Sequence, residues 1–375
     1  MGVGDFLTTA KITTEEIFRI PQNIKNLDVK IDNQELKKFS GLTIESEIDS
    51  PCVAFSFTTV FEPSDRDSRE LFRPFKKRLI DITYWGTNVC QGYIDIVTPA
   101  TSDSGIQVNV QGRSANAWMV DSNRKGDLYF RNITLGQFAK QVSNGAISIE
   151  PDTQPIPIIK VEKTEKVYEA VAKEAAQRGY WCVPSAGGNI TFTKISQSDP
   201  IQAELTDGIS PVLTVRSSFD RTKRFGEYLI IGSGNGTGRS ATITDSEIVN
   251  QFGNTERFKI VQASKENADL QKYGERVRSQ DQIDSMTLDV VCSSWTFNDK
   301  LWQPGGMIQL EAPGAMIYRP SKFVIKKVTL KFDEGGEEAT LSLALPNAFD
   351  GSTLSEFPWD EPIGSVNGIL PGFGD

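Results

Sequence analysis

Few of the side chains that usually perform chemistry are present in this chain. None of its 375 residues is histidine, which removes the usual general base near neutral pH, the usual partner of a nucleophilic Ser or Cys, and the commonest metal ligand. Cys52, Cys90, Cys182 and Cys292 stand far apart with no Cys-x-x-Cys pair. They indicate neither a zinc cage nor a disulfide framework and are expected as buried apolar thiols. Carboxylates are the remaining candidates, with Glu45, Glu47 and Asp49 on one strand face and Glu337-Glu338 at a loop tip. A glycosidase needs two carboxyls facing each other across a cleft with one pKa raised. Solvated acidic faces are the plainer expectation, and such faces lining a pore would keep a passing polyanion from binding. The glycine-rich run Gly232 to Gly238 offers backbone N–H groups, yet no Gly-x-Gly-x-x-Gly frame fits it and no helix start follows, so a loop is expected. No catalytic residue, cofactor site or metal site is assigned.

Two stretches suggest contact with other proteins. Arg66, Arg69, Arg73, Lys76, Lys77 and Arg78 form the one basic cluster, interleaved with Leu71, Phe72 and Phe75. The plain expectation is a loop that docks its aromatics on a barrel and leaves its charges in water; as a functional surface it would grip an acidic neighbour, with Arg73, Lys76 and Lys77 as contacts. Near the C-terminus Phe357, Pro358 and Trp359, then Ile369 to Phe373, sit in a Pro/Gly-rich tail with no periodicity. Such a tail does not fold alone, and Trp359 and Phe373 are expected against another subunit. Net charge is −9, which argues against tight nucleic-acid binding. No apolar run is long enough to span a bilayer and no secretory signal opens the chain, so a soluble protein made in the cytosol, without stable membrane insertion, is expected.

The chain is long enough for several cores, and alternation assigns most of it to strands. Leu27, Val29 and Ile31 alternate, as do Leu42, Ile44 and Ile48, then Val53, Phe55, Phe57 and Thr59. A hairpin over Leu79 to Ile96 turns at Trp85-Gly86-Thr87-Asn88, and Ile106 to Val110 continues the sheet. The period then changes. Thr134 caps a helix with Leu135, Phe138, Ala139 and Val142, and Thr164, with Glu165 in the first turn, caps a second that stops at Gly179. A hairpin around Ala186 to Asn189 completes a small α/β unit. Strands resume from Ser217, including Arg224 to Gly232 and Ser285 to Cys292, with a polar helix over Ser264 to Ser279 whose stripe Leu270, Tyr273 and Val277 docks on a barrel. The stretch from Trp302 to Phe349 reads as a three-stranded meander around which the rest is organised, with Asp333 to Glu338 as a hairpin loop.

The motifs along these elements resemble the baseplate hub proteins of Mu-type contractile-tailed phages, which share the hub fold with type VI secretion spikes. They run in order: Gly92-Tyr93-Ile94-Asp95, then Val110-Gln111-Gly112-Arg113-Ser114, then a short amphipathic segment ending at Asp121. After that Asp the family often has Cys where Ser122 stands, expected here as a small buried polar residue. Arg224, Phe225, Tyr228 and Gly232 match a later strand, and Trp302, Pro304, Gly305, Pro346 and Phe349 match the closing meander.

The resemblance implies a β-rich α+β multidomain fold with two antiparallel β-barrel-like hub domains and a small α/β insert. The expected division is an N-terminal arm over 1–23, a first barrel over 24–112, the insert over 113–197, a second barrel over 198–349 with a helical insertion near 264–279, and a Pro/Gly-rich tail over 350–375. It implies no enzyme but a structural hub in the virion tail baseplate. That hub is a homotrimer joining the hexameric tail tube to the trimeric central spike around a channel for DNA, in contact with neighbouring baseplate proteins. A receptor- or carbohydrate-binding tail protein, signalled by exposed aromatic platforms, and a cell-wall hydrolase, signalled by paired carboxylates in a cleft, are the rival readings.

Overall fold

The computed structural model describes residues 26–102, 105–232, 238–251, 253, 256–263, 269–352 and 356–360. The expected arm over 1–23, most of the glycine-rich run, and Phe373 lie outside them. The chain opens with β1 (Leu27–Ile31), β2 (Gln34–Glu35), β3 (Phe39–Glu47), β4 (Ala54–Val60), the short helix α1 (Arg66–Leu71), β5 (Leu79–Tyr84), β6 (Thr87–Ser102) and β7 (Gly105–Ser114). The alternation that marked these strands is the alternation of their burial: Val29, Ile31, Ile80, Ile82, Val108 and Val110 are all fully buried. The β5–β6 hairpin closes on two residues, Trp85 at φ 49° and Gly86 at φ 74°. That is tighter than the four-residue turn expected, and both central residues take the left-handed conformation such turns require.

An α/β unit follows, made of α2 (Trp118–Asp121), β8 (Tyr129–Ile133), α3 (Leu135–Val142), β9 (Ile147–Glu150), β10 (Ile156–Lys160), α4 (Val167–Ala176), β11 (Trp181–Pro184) and β12 (Ile190–Thr193). Helix α3 starts as its sequence directs: Thr134 Oγ1 accepts from Gln137 N at 3.1 Å while Gln137 Oε1 accepts from Thr134 N at 3.2 Å. Helix α4 starts later than Thr164 suggested. Its cap is Lys166, whose N–H reaches Glu169 at 3.4 Å, and Glu165 is instead buried before the helix, accepting from Lys173 Nζ at 2.9 Å. Ser122 is exposed rather than buried, because its role is carried by its carbonyl, which accepts from Val167 N at 3.0 Å.

The last part contains β13 (Ile201–Thr206), β14 (Val212–Phe219), β15 (Glu227–Ile231), β16 (Ser240–Thr244), β17 (Phe258–Gln262), α5 (Leu270–Asp284), β18 (Met286–Cys292), β19 (Thr296–Phe297), β20 (Lys300–Leu301), β21 (Met307–Ala312), β22 (Ile317–Asp333), β23 (Gly336–Ala344) and α6 (Asn347–Asp350). The meander expected at the C-terminal end is β21, β22 and β23, antiparallel throughout. Two expectations change. Arg224 to Gly232 does not resume a barrel: β15 lies in a separate three-stranded sheet, antiparallel to β16 and parallel to β17. Helix α5 covers that small sheet, closing a core of Tyr228, Ile230, Ile243, Ala263 and Leu270, so its stripe docks there. A Cβ on Gly274 would fall 2.7 Å from Ile230 Cγ1, and only glycine lets the helix approach that closely.

The two strand sets share one thirteen-stranded sheet, ordered β14-β18-β23-β22-β3-β4-β7-β6-β5-β1-β2 with β13-β21 joined to β22. Strand β22 is the seam. From Ile317 to Val324 it pairs with β21, and from Lys327 to Phe332 it pairs with β3, the exchange coming where its register to β23 shifts between Ile325 and Lys327. A bulge bends a strand and lets it serve two neighbours on one edge. One continuous apolar core runs beneath, from Phe39, Phe55 and Phe57 to Trp295, Leu330 and Leu341.

Candidate functional site

The glycines of the first motif are there because β6 and β7 cross too closely for a side chain. A Cβ on Gly92 would stand 2.7 Å from the Arg113 carbonyl carbon and 2.8 Å from Ser114 Cα; one on Gly112 would strike the Phe55 ring. Tyr93 and Arg113 therefore pair directly across the two strands. Arg113 turns its guanidinium between two carboxylates, with Nε 2.6 Å from Asp95, and Nη1 and Nη2 at 3.2 and 2.7 Å from the two oxygens of Asp121. This is the fork geometry that lysine cannot reproduce. The hydrogen bond from Arg113 holds the Asp121 carboxyl below the usual carboxylate range, and the two carboxylates, Asp121 foremost, raise the Arg113 pKa. Asp121 ends α2, so its bonds to Arg113 of β7 tie the α/β unit to the sheet, and Lys166 at the start of α4 donates to the Asp121 carbonyl at 2.6 Å. Ser114 Oγ accepts from Val53 N at 3.2 Å in a buried setting.

Beside this cluster lies the basic loop, and the two line one groove of about 540 Å³. Asp65 caps α1 by accepting from Ser68 N at 2.8 Å. Phe72 is buried against Phe61, as expected of a docked aromatic. Phe75 is the opposite: it takes φ 63° and its side chain is wholly in solvent. Nor are all the charges in water. Arg78 is buried and bonds Asp32 at 2.6 Å and Glu70 at 3.1 Å, because a buried guanidinium must be paired. Lys76 pairs with Glu70, Lys77 Nζ sits 3.8 Å above the centre of the Tyr93 ring, and Arg73 remains largely exposed. The groove is thus lined by Arg73, Lys76 and Lys77, by the Arg113 cluster with its carboxylates Asp95 and Asp121, and by the apolar surfaces of Phe75, Ile96 and Trp118.

The other motif residues build joints. Arg224 Nη2 reaches the buried carboxylates of Asp245 at 2.7 Å and Glu247 at 3.5 Å, and Glu247 accepts from Asn347 Nδ2 at 2.9 Å, which fixes the small sheet to α6. Phe225 packs edge-on to the buried Tyr228. Trp302 is buried and donates through Nε1 to Ser294 O at 3.0 Å. After Pro304, Gly305 takes φ 84° and donates to Ile325 O at 2.8 Å, seating the turn before β21 on the seam. The Pro346 carbonyl accepts from Phe349 N at 2.9 Å.

Phe349 leads to a junction that sequence reasoning missed. Its ring lies 4.7 Å from that of buried Trp181, whose Nε1 donates to Phe349 O at 3.0 Å. The Arg276 guanidinium lies over the Trp181 ring, 2.9 Å from its centre, and pairs with Asp49. Burial lowers the Arg276 pKa to about 10, against the opposing pull of Asp49. Trp181 belongs to β11, Arg276 to α5, Asp49 to the turn after β3 and Phe349 to α6, so four parts of the chain meet here. No local motif marks such a set.

The tail is described only over residues 350–352 and 356–360. Residues 356–360 lie on their own chain: Phe357 is buried, Trp359 stacks on it and meets Phe219 at 5.1 Å, and Arg319 donates to Asp360 O at 2.9 Å. The carboxylates that a hydrolase would need are in pairs of another kind. Glu45 is 3.1 Å from Lys327, Asp49 holds Arg276, and Glu337 accepts from Tyr84 at 2.5 Å. Among the described residues no three His, Cys, Asp or Glu side chains converge as a metal site would require. All four cysteines are free and buried, as expected.

No protein-family model matches the chain. It is 25% identical over 306 residues to the baseplate hub protein gp44 of Escherichia phage Mu, which covers 74% of this chain and 76% of that protein. Among solved structures, a 43 kDa tail protein from prophage MuSo2 of Shewanella oneidensis superposes with a TM-score of 0.74 at 23% identity, over 87% of this chain and 100% of the other. A tail protein from Neisseria meningitidis MC58 does so with 0.72 at 19% identity, over 86% and 97%. The fold is that of these tail proteins. The likeness to the Mu-type hub family read from the motifs therefore stands, and these relatives are a baseplate hub protein and two tail proteins.

Proposed function

We propose that this chain is the structural hub of a contractile phage or prophage tail baseplate. In this reading it is a homotrimeric adaptor that joins the hexameric tail tube to the trimeric central spike and encloses a channel for DNA. The observation that carries it is the seam at β22, which fuses two sets of antiparallel strands into one sheet and so gives each chain two β-rich halves. Three chains around one axis then offer six β-rich units to a six-fold tube while keeping three-fold symmetry for a spike. On this reading the chain divides into a first barrel, an α/β insert and a second barrel, with β15 to β17 and α5 as an addition to the second. In this reading the motif residues act as joints: Gly92 and Gly112 let β6 and β7 pair closely, Arg113 fixes the first half to the insert through Asp121, and Arg224, Trp302, Gly305 and Phe349 fix the second. An acidic chain of net charge −9 suits a channel that a polyanion crosses without sticking, and no helix among the described residues is long and apolar enough to cross a membrane.

Light scattering of the purified chain at micromolar concentration is the direct test, and a mass of three chains is the expected result. A persistent monomer overturns the adaptor reading. A particle image in which the two halves of each chain do not alternate around one axis overturns it too.

A further inference from the structure

One groove of this molecule and the sequence of its C-terminal residues have complementary character. One is the groove in which Arg73 and Lys77 stand exposed beside Phe75, Ile96 and Trp118. Lys77 has no carboxylate partner among the described residues, and Arg73 has only Glu70, at 3.7 Å. Phe75 is a bulky residue held at positive φ with its whole ring in water, an arrangement costly in both respects unless something covers it. The other is the C-terminal sequence from Glu361, which carries Glu361 and Asp375 without a single Lys or Arg. That stretch also holds Val366, Ile369, Leu370 and Phe373.

We propose that residues 361–375 of one copy seat in the Arg73–Lys77 groove of the next copy, their apolar side chains against Phe75, Ile96 and Trp118 and their carboxylates toward Arg73 and Lys77. This rests on the homo-oligomeric reading above and names the contact that builds it. The point of departure is fixed: Trp359 packs on Phe219 of β14, at one end of the sheet order, and Arg319 holds Asp360 there. The groove is built on β6 and β7, toward the opposite end of that order. Fifteen residues extend to about 50 Å at most, enough to cross a subunit boundary. A contact between two unlike surfaces is head-to-tail, and when its rotation closes it makes a ring.

Disulfide trapping between full-length chains tests this, since all four native thiols are buried. Chains with Phe75→Cys under one affinity tag are mixed with chains carrying Phe373→Cys under another, then mildly oxidised. A mixed-tag disulfide is expected, falling as salt is raised. Reversing the groove with Arg73→Glu and Lys77→Glu should cut its yield about tenfold, and adding Glu361→Lys with Asp375→Lys in the other chain should restore it. If the wild type is trimeric yet no mixed-tag product forms, or if the bond forms only inside chains carrying both cysteines, this contact is wrong while the hub reading survives. A wild type that never associates overturns both.

Discussion

Trp181 joins what would otherwise be separate packed units, and its removal should be felt beyond its own volume. The α/β unit has its own core, with Phe138, Val171 and Phe192 at the centre, while Trp181 belongs to a small second cluster with Ile283, Met307 and Phe349. Truncating a buried Trp to Ala costs about 3–5 kcal/mol. Part of that here is the ring face beneath Arg276, worth about 2 kcal/mol when the cation is desolvated. Part is the hydrogen bond to Phe349 O, whose loss leaves a buried carbonyl unpaired at about 1–3 kcal/mol. Trp181→Phe should keep most of the packing and lose the hydrogen bond, so it should fall between the wild type and Trp181→Ala. A double-mutant cycle with Arg276→Met isolates the cation–ring term, because Asp49 is partly exposed and can be solvated when its partner goes. Urea unfolding followed by circular dichroism, on conditions where two probes coincide, gives the free energies. A coupling of about 2 kcal/mol is expected. A coupling under about 0.5 kcal/mol would refute the claim that Arg276 and Trp181 act as one joint.

Other outcomes follow from the same geometry. Gly112→Ala must move Phe55 or the Tyr93 carbonyl and should lower stability by about 3 kcal/mol; Gly86→Ala, with open space around a φ of 74°, should cost only about 1–2 kcal/mol. Equal losses in thermal unfolding would count against the close crossing of β6 and β7. Burial pushes the thiol of Cys52 up to about 11 and those of Cys90 and Cys292 up to about 12, from 9.0. Their neutral forms therefore contribute stability that is fully present below the unfolded value near 9 and is lost as pH climbs through 11 to 12. An Ellman titration at pH 8 should find almost no thiol in the native protein and all four after denaturation, whereas a rapidly reacting thiol in the native state would show that one of these sites is open.

Local pattern decided a good deal of this protein. Alternation placed β1, β3 to β7, and β21 to β23, because a strand half-buried on a sheet repeats every two residues whatever its neighbours are. The Thr134 and Gln137 pair placed the start of α3, since a capping box is closed within four residues. Absence of histidine removed the usual general base and the commonest metal ligand from the outset, and the order of Gly92, Arg113, Asp121 and the Trp302 motif carried the family likeness.

What the residues could not announce was which strand would meet which. Arg224 to Gly232 has the alternation of any strand, and only the approach of β17 and the Gly274 face of α5 put it in a sheet of its own. Thr164 is as good a cap as Lys166 in isolation, but Glu165 is buried with Lys173, and that burial moved the helix start. Phe72 and Phe75 are the same residue three positions apart; one fell on the core side of the loop and the other was turned outward by a left-handed backbone. Strand β22 joined two halves through a bulge that no side chain in it marks, and Asp49, Trp181, Arg276 and Phe349 met across 300 residues of chain. Propensity and periodicity act over a few residues, whereas burial is settled by whatever distant surface arrives, and for this protein the joints between its parts were all of the second kind.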